Sequence, residues 1–323
     1  MARADRWGGL RLYRLRALRR VVPHAEGPIT RVSVAAADSE IGVKHSVLLH
    51  GFVVLVDYMG NDDAIVQAAR VSYGKGTKSV RDDRGLIRYL LRHRHTTPFE
   101  MVEFKFLVRL PIFVARQWVR HRTASLNEVS ARYSVLEEEY EVPLPEEVRY
   151  QSTVNRQGRG GPLPADVVER FRSDLERVSQ DAYRVYEQAL KDGVARETAR
   201  LVLPVAYYTQ WYWKINLHNL FHFLSLRLDP HAQEEIRLYA AELDRIARTV
   251  CPIAFEAFDD YQLGGLSLSR REQRAVRSLL EGKSPTEACR DAGMPLTRED
   301  GKAMTTGEGV EFLAKLERIR SLP

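Results

Sequence analysis

The 323-residue chain is 44% hydrophobic and 28% charged, enough apolar content for a sizeable core, which excludes a wholly disordered protein and allows about two domains. Its longest apolar runs, such as residues 51–56, fall far short of the roughly 18–20 residues of a spanning helix, so no membrane protein is expected. The net charge of +6 is local: residues 1–20 hold seven arginines against Asp5, while residues 21–323 carry 42 cations and 42 anions, so the total implies no general nucleic-acid surface.

In chain order, residues 1–43 read as a basic leader, expected to be disordered or to reflect a start codon set too far upstream. The small, polar stretch 33–42 reads as linker. Residues 50–58 (HGFVVLVDY) are rich in β-branched side chains and predict a strand. Asn61-Asp62 caps a helix to about Val71, and 82–95 predicts a second, basic one. Thr97-Pro98-Phe99-Glu100 has the form of a capping box. Val102, Phe104, Phe106, Val108 and Leu110 alternate with charged residues, the signature of a half-buried strand. From Pro111 the period becomes helical through PIFVARQWVRHR. The proline- and glycine-rich stretch 143–164 reads as a loop. Helices are predicted over 166–190, 195–203, 216–228, 232–249 and 252–261, interrupted by an aromatic strand at 207–213. Residues 44–269 form the expected body, and 270–323 a separate helical appendage. The class is α+β.

Two cysteines, Cys251 and Cys289, are too few for a disulfide framework or a four-cysteine zinc site, which suits a cytoplasmic protein. The most unusual segment is Arg120-His121-Arg122, followed by Ser125, Asn127, Glu128, Ser130 and Arg132. A cationic run is usually an exposed helix end. The dense mixture of hydroxyl, amide and guanidinium groups behind it suits phosphate and heterocycle recognition better. In INLHNLFHFLSLRL, Leu217, Leu220, Phe221, Leu224 and Leu228 form one stripe. His218, His222 and Ser225 lie opposite, with Asn216, Asn219 and Arg227 on the flank. An ordinary solvated helix face would carry Lys or Glu, and this one has neither. The His218/His222 spacing could in principle bind zinc, but the glutamate of the metalloprotease pattern is missing and no metal is expected. No Gly-rich phosphate loop follows a strand.

RHRTASLNEVS, together with VDYMGNDDAIVQAARVSYGKG, HTTPFE, PIFVARQWVRHR, ARLVLP, NLHNLFHFLSLR and CPIAFEAF, resembles the flavin-dependent thymidylate synthase (ThyX) family over about residues 48–261. The resemblance implies a ThyX-type fold, with a mixed or antiparallel sheet and a helical half. It also implies a homotetramer with active sites shared between subunits. The implied reaction is reductive methylation of dUMP to dTMP, with FAD, NADPH and 5,10-methylenetetrahydrofolate. By motif position, Ser72, Thr97, Arg120, His121, Arg122, Glu128, Asn216, His218 and His222 would contact FAD. Gln117, Arg120, Glu128, Ser130, Ala131, Arg132, Arg200 and Arg227 would contact dUMP, with Ser130 and Arg132 at its phosphate. Arg227 would polarise the uracil and is the expected catalytic residue. His218 and His222 stand where some members carry arginine and asparagine; both keep hydrogen-bonding capacity. A flavin route fits a chain in which neither cysteine has an activating environment for nucleophilic attack.

Two alternatives stand beside this expectation. A related enzyme could hydroxymethylate the pyrimidine nucleotide. Alternatively, arm and tail could bind nucleic acid. Ser284-Pro285-Thr286-Glu287 opens a helix and Ala292-Gly293 a turn, as in a helix-turn-helix, but the next predicted helix, 310–320, follows too late. The tail holds 11 cations and 9 anions, a weak footprint for DNA.

Overall fold

A computed structural model describes residues 33–71, 83–153, 157–298 and 300–322; residues 1–32 and Ser72 lie outside them. The linker expected over 33–42 is not what folds there. Helix α1 (Ala35–Asp38) carries Ala37, which is fully buried. Val34 N donates to the Tyr58 hydroxyl, which donates to Asp38, both at 2.7 Å, and Glu40 pairs with Arg245 at 2.8 Å. Small side chains let this backbone lie close to the core, so a composition that resembles linker serves docking instead. Deleting residues 33–43 is therefore expected to lower stability by about 2 kcal/mol, from the lost burial and hydrogen bonds, measured by urea denaturation. An unchanged midpoint would show that the segment contributes nothing.

Strands β1 (Lys44–Val47) and β2 (Gly51–Met59) form an antiparallel hairpin. Gly51 sits where its backbone meets the Tyr239 hydroxyl and the Val47 carbonyl, and a Cβ would overlap both. Gly51→Ala is expected to cost about 3 kcal/mol through forced displacement in a packed core, read as a drop in the denaturation midpoint.

Helices α2 (Asp62–Val71) and α3 (Asp83–Arg92) follow. Asn61 Oδ1 accepts from Ala64 N at 3.3 Å and caps α2 as its sequence suggests. Thr97–Met101 is a 3-10 turn without a side-chain cap, not the capping-box helix its sequence predicts. Phe99 and Val102 are buried immediately, which leaves no room for a full helical turn before β3 (Glu103–Pro111). In β3 the expected alternation is realised: Phe104, Phe106, Val108 and Leu110 are buried. Helix α4 (Ile112–Trp118) stops earlier than the sequence period suggests, so Arg120-His121-Arg122 lie beyond it. Trp118 anchors that end, fully buried against Trp211, Trp213, Phe223 and Tyr239.

The chain continues through β4 (Ser125–Glu128), the short pair β5 (Arg149–Gln151) and β6 (Arg159–Pro162), α5 (Ala165–Lys191) and α6 (Arg196–Ala199). Then come β7 (Tyr208–Asn216), α7 (Leu217–Arg227), α8 (Glu234–Val250) and α9 (Pro252–Phe258). The main sheet runs β1-β2-β3-β7-β4 and every pairing in it is antiparallel. One face buries Phe106, Trp211 and Trp213 in a core shared with α4, α7, α8 and α9. The other leaves Tyr212 exposed under Lys105. Asp62 crosses elements, accepting from Ile253 N and Ala254 N at 3.0 and 2.9 Å to cap α9. Helix α5 turns Phe171, Val178 and Val185 outward, all about half exposed and seven residues apart.

The tail forms α10 (Arg270–Leu280), α11 (Pro285–Asp291) and α12 (Glu308–Arg320). It has its own small core of Ala275, Ala288, Cys289, Ala292, Met294 and Phe312. Ser269 and Ser284 complete capping boxes with Glu272 and Glu287. The turn after α11 exists, with Gly293 at φ 72°, but residues 292–307 separate it from α12, too far for a helix-turn-helix.

Candidate functional site

Two cavities gather the predicted residues. The first, about 630 Å³, is lined by Arg120, His121, Arg122, His218, His222 and Arg227, with Thr123, Asn219 and Leu226. Two features bring these groups together. The turn after α4 presents residues 120–123, and α7 presents one polar side, its Leu217, Leu220, Phe221 and Leu224 being buried. Phe223 is also buried, packing on Trp118 at 4.8 Å and on His121 at 4.8 Å. Helix α7 is thus apolar over more of its circumference than the single stripe predicts, and its polar side is confined to the cavity.

Arg227, the last residue of α7, donates from Nε to His121 Nε2 at 2.9 Å and from Nη2 to the Gln117 carbonyl at 3.4 Å. Burial, then the charge of Arg227 and His222, push His121 down to about 4. It is therefore neutral at pH 7 and accepts at Nε2; the sequence-level picture of three potentially cationic neighbours reduces to two arginines flanking a neutral ring. Burial and Arg120 also lower Arg227, which as a guanidinium stays charged. Among the described residues, no carboxylate pairs with Arg120, Arg122 or Arg227, and no acid lines the cavity. Unpaired guanidinium groups in a concave, acid-free wall select an anion.

His121 is harder to protonate in the fold than in the unfolded chain. Because its folded value lies below the ordinary histidine value of 6.5, its contribution is present above pH 6.5 and fades as pH falls toward 4. His121→Gln is expected to flatten this part of the stability profile between pH 7 and 4, followed by denaturation midpoints. A variant with the wild-type acid slope would remove His121 as its source.

The second cavity, about 380 Å³, is lined by Glu128, Ser130, Ala131, Arg200, Tyr208 and Thr209, with Ile112, Val129, Leu136 and Leu203. Glu128 ends β4; Ser130 and Ala131 follow it. Ser130 Oγ accepts from Arg132 N at 3.3 Å. Behind the wall, the Tyr208 hydroxyl donates to buried Glu141 and accepts from His50 N at 3.2 Å. Burial raises Glu141 and Tyr208 alike, so this support stays protonated at the phenol.

Four expected residues line neither cavity. Asn216 caps α7, accepting from Asn219 N at 2.9 Å. Gln117 bonds to Gln233. Thr97 is exposed on its 3-10 turn, and Arg132 pairs with Glu197 at 3.1 Å. Tyr208, Thr209 and Thr123 line cavities without having been singled out. Nothing in the sequence near Thr209 points to Glu128, 81 residues away. Cys251 and Cys289 are free and buried, with both thiols pushed up by burial. Among the described residues no group of three or more metal-ligating side chains is present.

The two cavities share no lining residue. Arg122 belongs to the first and Glu128 to the second, joined through β4, an extended link of up to roughly 20 Å.

The sequence matches the family model described as thymidylate synthase complementing protein over residues 54–253. It is 53% identical over 264 residues to a flavin-dependent thymidylate synthase of Ruegeria pomeroyi, covering 80% of this chain and 87% of that one. It is 52% identical over 261 residues to a protein of the same description from Gluconobacter oxydans, covering 80% and 86%. Among solved structures, it resembles the UMP/dUMP methylase PolB of Streptomyces cacaoi bound with 5-Br dUMP, at 37% identity and a TM-score of 0.61, covering 68% of this chain and 99% of that one.

Proposed function

The chain belongs to the thymidylate synthase complementing protein family, and from that premise we propose that it is a flavin-dependent thymidylate synthase, methylating dUMP to dTMP. The observation that carries the reading is the cavity in which, among the described residues, no acid lines the wall and Arg120, Arg122 and Arg227 have no carboxylate partner. Its volume is of the size that ligand sites use.

The cavity fits a flavin in charge and donor set. Arg120 and Arg122 would hold anionic groups, and His218 and His222 would add hydrogen bonds from α7. Neutral His121 would contribute orientation and not charge. Asn216, whose side-chain oxygen is committed to its cap, would donate from its amide nitrogen; Thr97 and Ser72 complete the proposed flavin set. When bound, FAD supplies the hydride, with NADPH as reductant and 5,10-methylenetetrahydrofolate as carbon donor.

The chain's own groups would do the rest by electrostatics. Arg227, held by His121 and the Gln117 carbonyl, would stabilise negative charge on the uracil ring and so raise nucleophilicity at C5. Ser130 and Arg132 would hold the nucleotide phosphate, in competition with Glu197 for Arg132, and Ala131 and Arg200 would contact the nucleotide beside them. Gln117 and Arg120 would contact the nucleotide from the first cavity's side, and Glu128 would stand between nucleotide and flavin.

We read the two cavities, which share no lining residue, as half-sites that a second copy would complete, as in a homotetramer. The outward Phe171, Val178 and Val185 of α5, at heptad spacing, offer a seam for such packing. Two buried, free thiols suit a reducing cytoplasm.

Tritium release from 5-labelled dUMP, with FAD, NADPH and methylenetetrahydrofolate, tests the reading. No release by flavin-loaded protein would overturn it. PolB is also described as bound with 5-Br UMP, so UMP belongs in the same assay. Mass spectrometry of the product distinguishes methylation from hydroxymethylation.

A further inference from the structure

Thr209, the second residue of β7, is 6% exposed. Its hydroxyl donates to Glu128 Oε1 at 2.5 Å, and both residues line the second cavity. Glu128 lies on β4, an edge strand whose four residues are all exposed. Its backbone is registered by β7, with Glu128 opposite Trp211 and Val129 N donating to Gln210 O at 2.8 Å. Backbone pairing alone leaves a glutamate side chain free to sample several rotamers over an exposed edge. The Thr209 hydroxyl removes much of that freedom and leaves Oε2 available.

The residue type argues the same way. A buried strand position next to a tryptophan-rich core suits valine, which is isosteric with threonine and carries no polar atom. A buried hydroxyl is unfavourable unless it is paired, and the partner here is a carboxylate that faces a cavity.

We infer that Thr209 is a positioning residue, holding the Glu128 carboxylate toward the cavity it shares with Ser130 and Arg200. The inference rests on the reading of that cavity as part of the nucleotide site. It extends the site to a residue whose only link to Glu128 is tertiary.

Thr209→Val keeps shape and removes the donor. With flavin content and melting temperature at wild-type values, kcat/KM for dUMP is expected to fall about tenfold, the scale of one hydrogen bond to a charged group. Thr209→Ser, which keeps the hydroxyl, is expected to stay within about twofold of wild type. Dissociation constants for dUMP, from the flavin absorbance change, then complete a cycle. In a Glu128→Ala background the valine substitution should add nothing. Wild-type activity in Thr209→Val, an equal loss in Thr209→Ser, or the same valine effect without Glu128 would each overturn the assignment. Should the valine variant not fold, the serine variant decides: near-wild-type turnover supports the hydroxyl's role, and a tenfold loss refutes it. A wild-type protein without turnover would instead count against the proposed reaction.

Discussion

Arg227→Ala is expected to bind flavin and to lose turnover by about 10²–10³-fold, the range for removing one preorganised donor from developing negative charge. The geometry supports a large effect. The guanidinium is half-buried, has no carboxylate partner among the described residues and is oriented by His121 Nε2 and the Gln117 carbonyl. Its charge is therefore not neutralised internally and its direction is set before substrate arrives. Stopped-flow and steady-state turnover, with flavin absorbance as the occupancy check, measure the loss. A rate within threefold of wild type would remove Arg227 from the mechanism.

The second large effect concerns assembly. Arg227 lines one cavity and Arg200 the other, so Arg227→Ala and Arg200→Ala should each inactivate a different half of the site. If a complete site draws its halves from two chains, co-refolded equal mixtures contain some sites with both halves intact. Random mixing makes that about one quarter of all sites, given a symmetric oligomer with equivalent interfaces. Turnover is thus expected to rise from near zero in either variant alone to about a quarter of wild type. Mixtures as inactive as their components would show that each site is built within one chain.

Much of the site was legible because its parts are local. Arg120, His121 and Arg122 are adjacent, and helical periodicity places His218 and His222 on one side of α7 with Arg227 at its end. The absence of lysine and glutamate there marked a lined cavity, and β3 could be read from strict alternation. A short-range signal fails where a distant partner decides. Residues 33–42 have linker composition, yet Ala37 is buried because the Tyr58 hydroxyl and Arg245 receive its neighbours. Helix α4 ends at Trp118, whose side chain is enclosed by aromatic residues of β7, α7 and α8, contacts that no local period encodes.

The sequence by itself determined the class of protein, the cationic motif, the polar side of α7 and the family. It also located the net charge in a short leading segment and left the body neutral. Only the tertiary structure decided the protonation of His121, since burial and the approach of Arg227 from 106 residues away set it. The division of the predicted residues between two cavities is likewise tertiary, because the pairing of β4 with β7 places Glu128 opposite Trp211. So is the pairing of Thr209 with Glu128. Each depends on which strands meet, and strand order is a property of the folded chain that residue type and spacing do not specify.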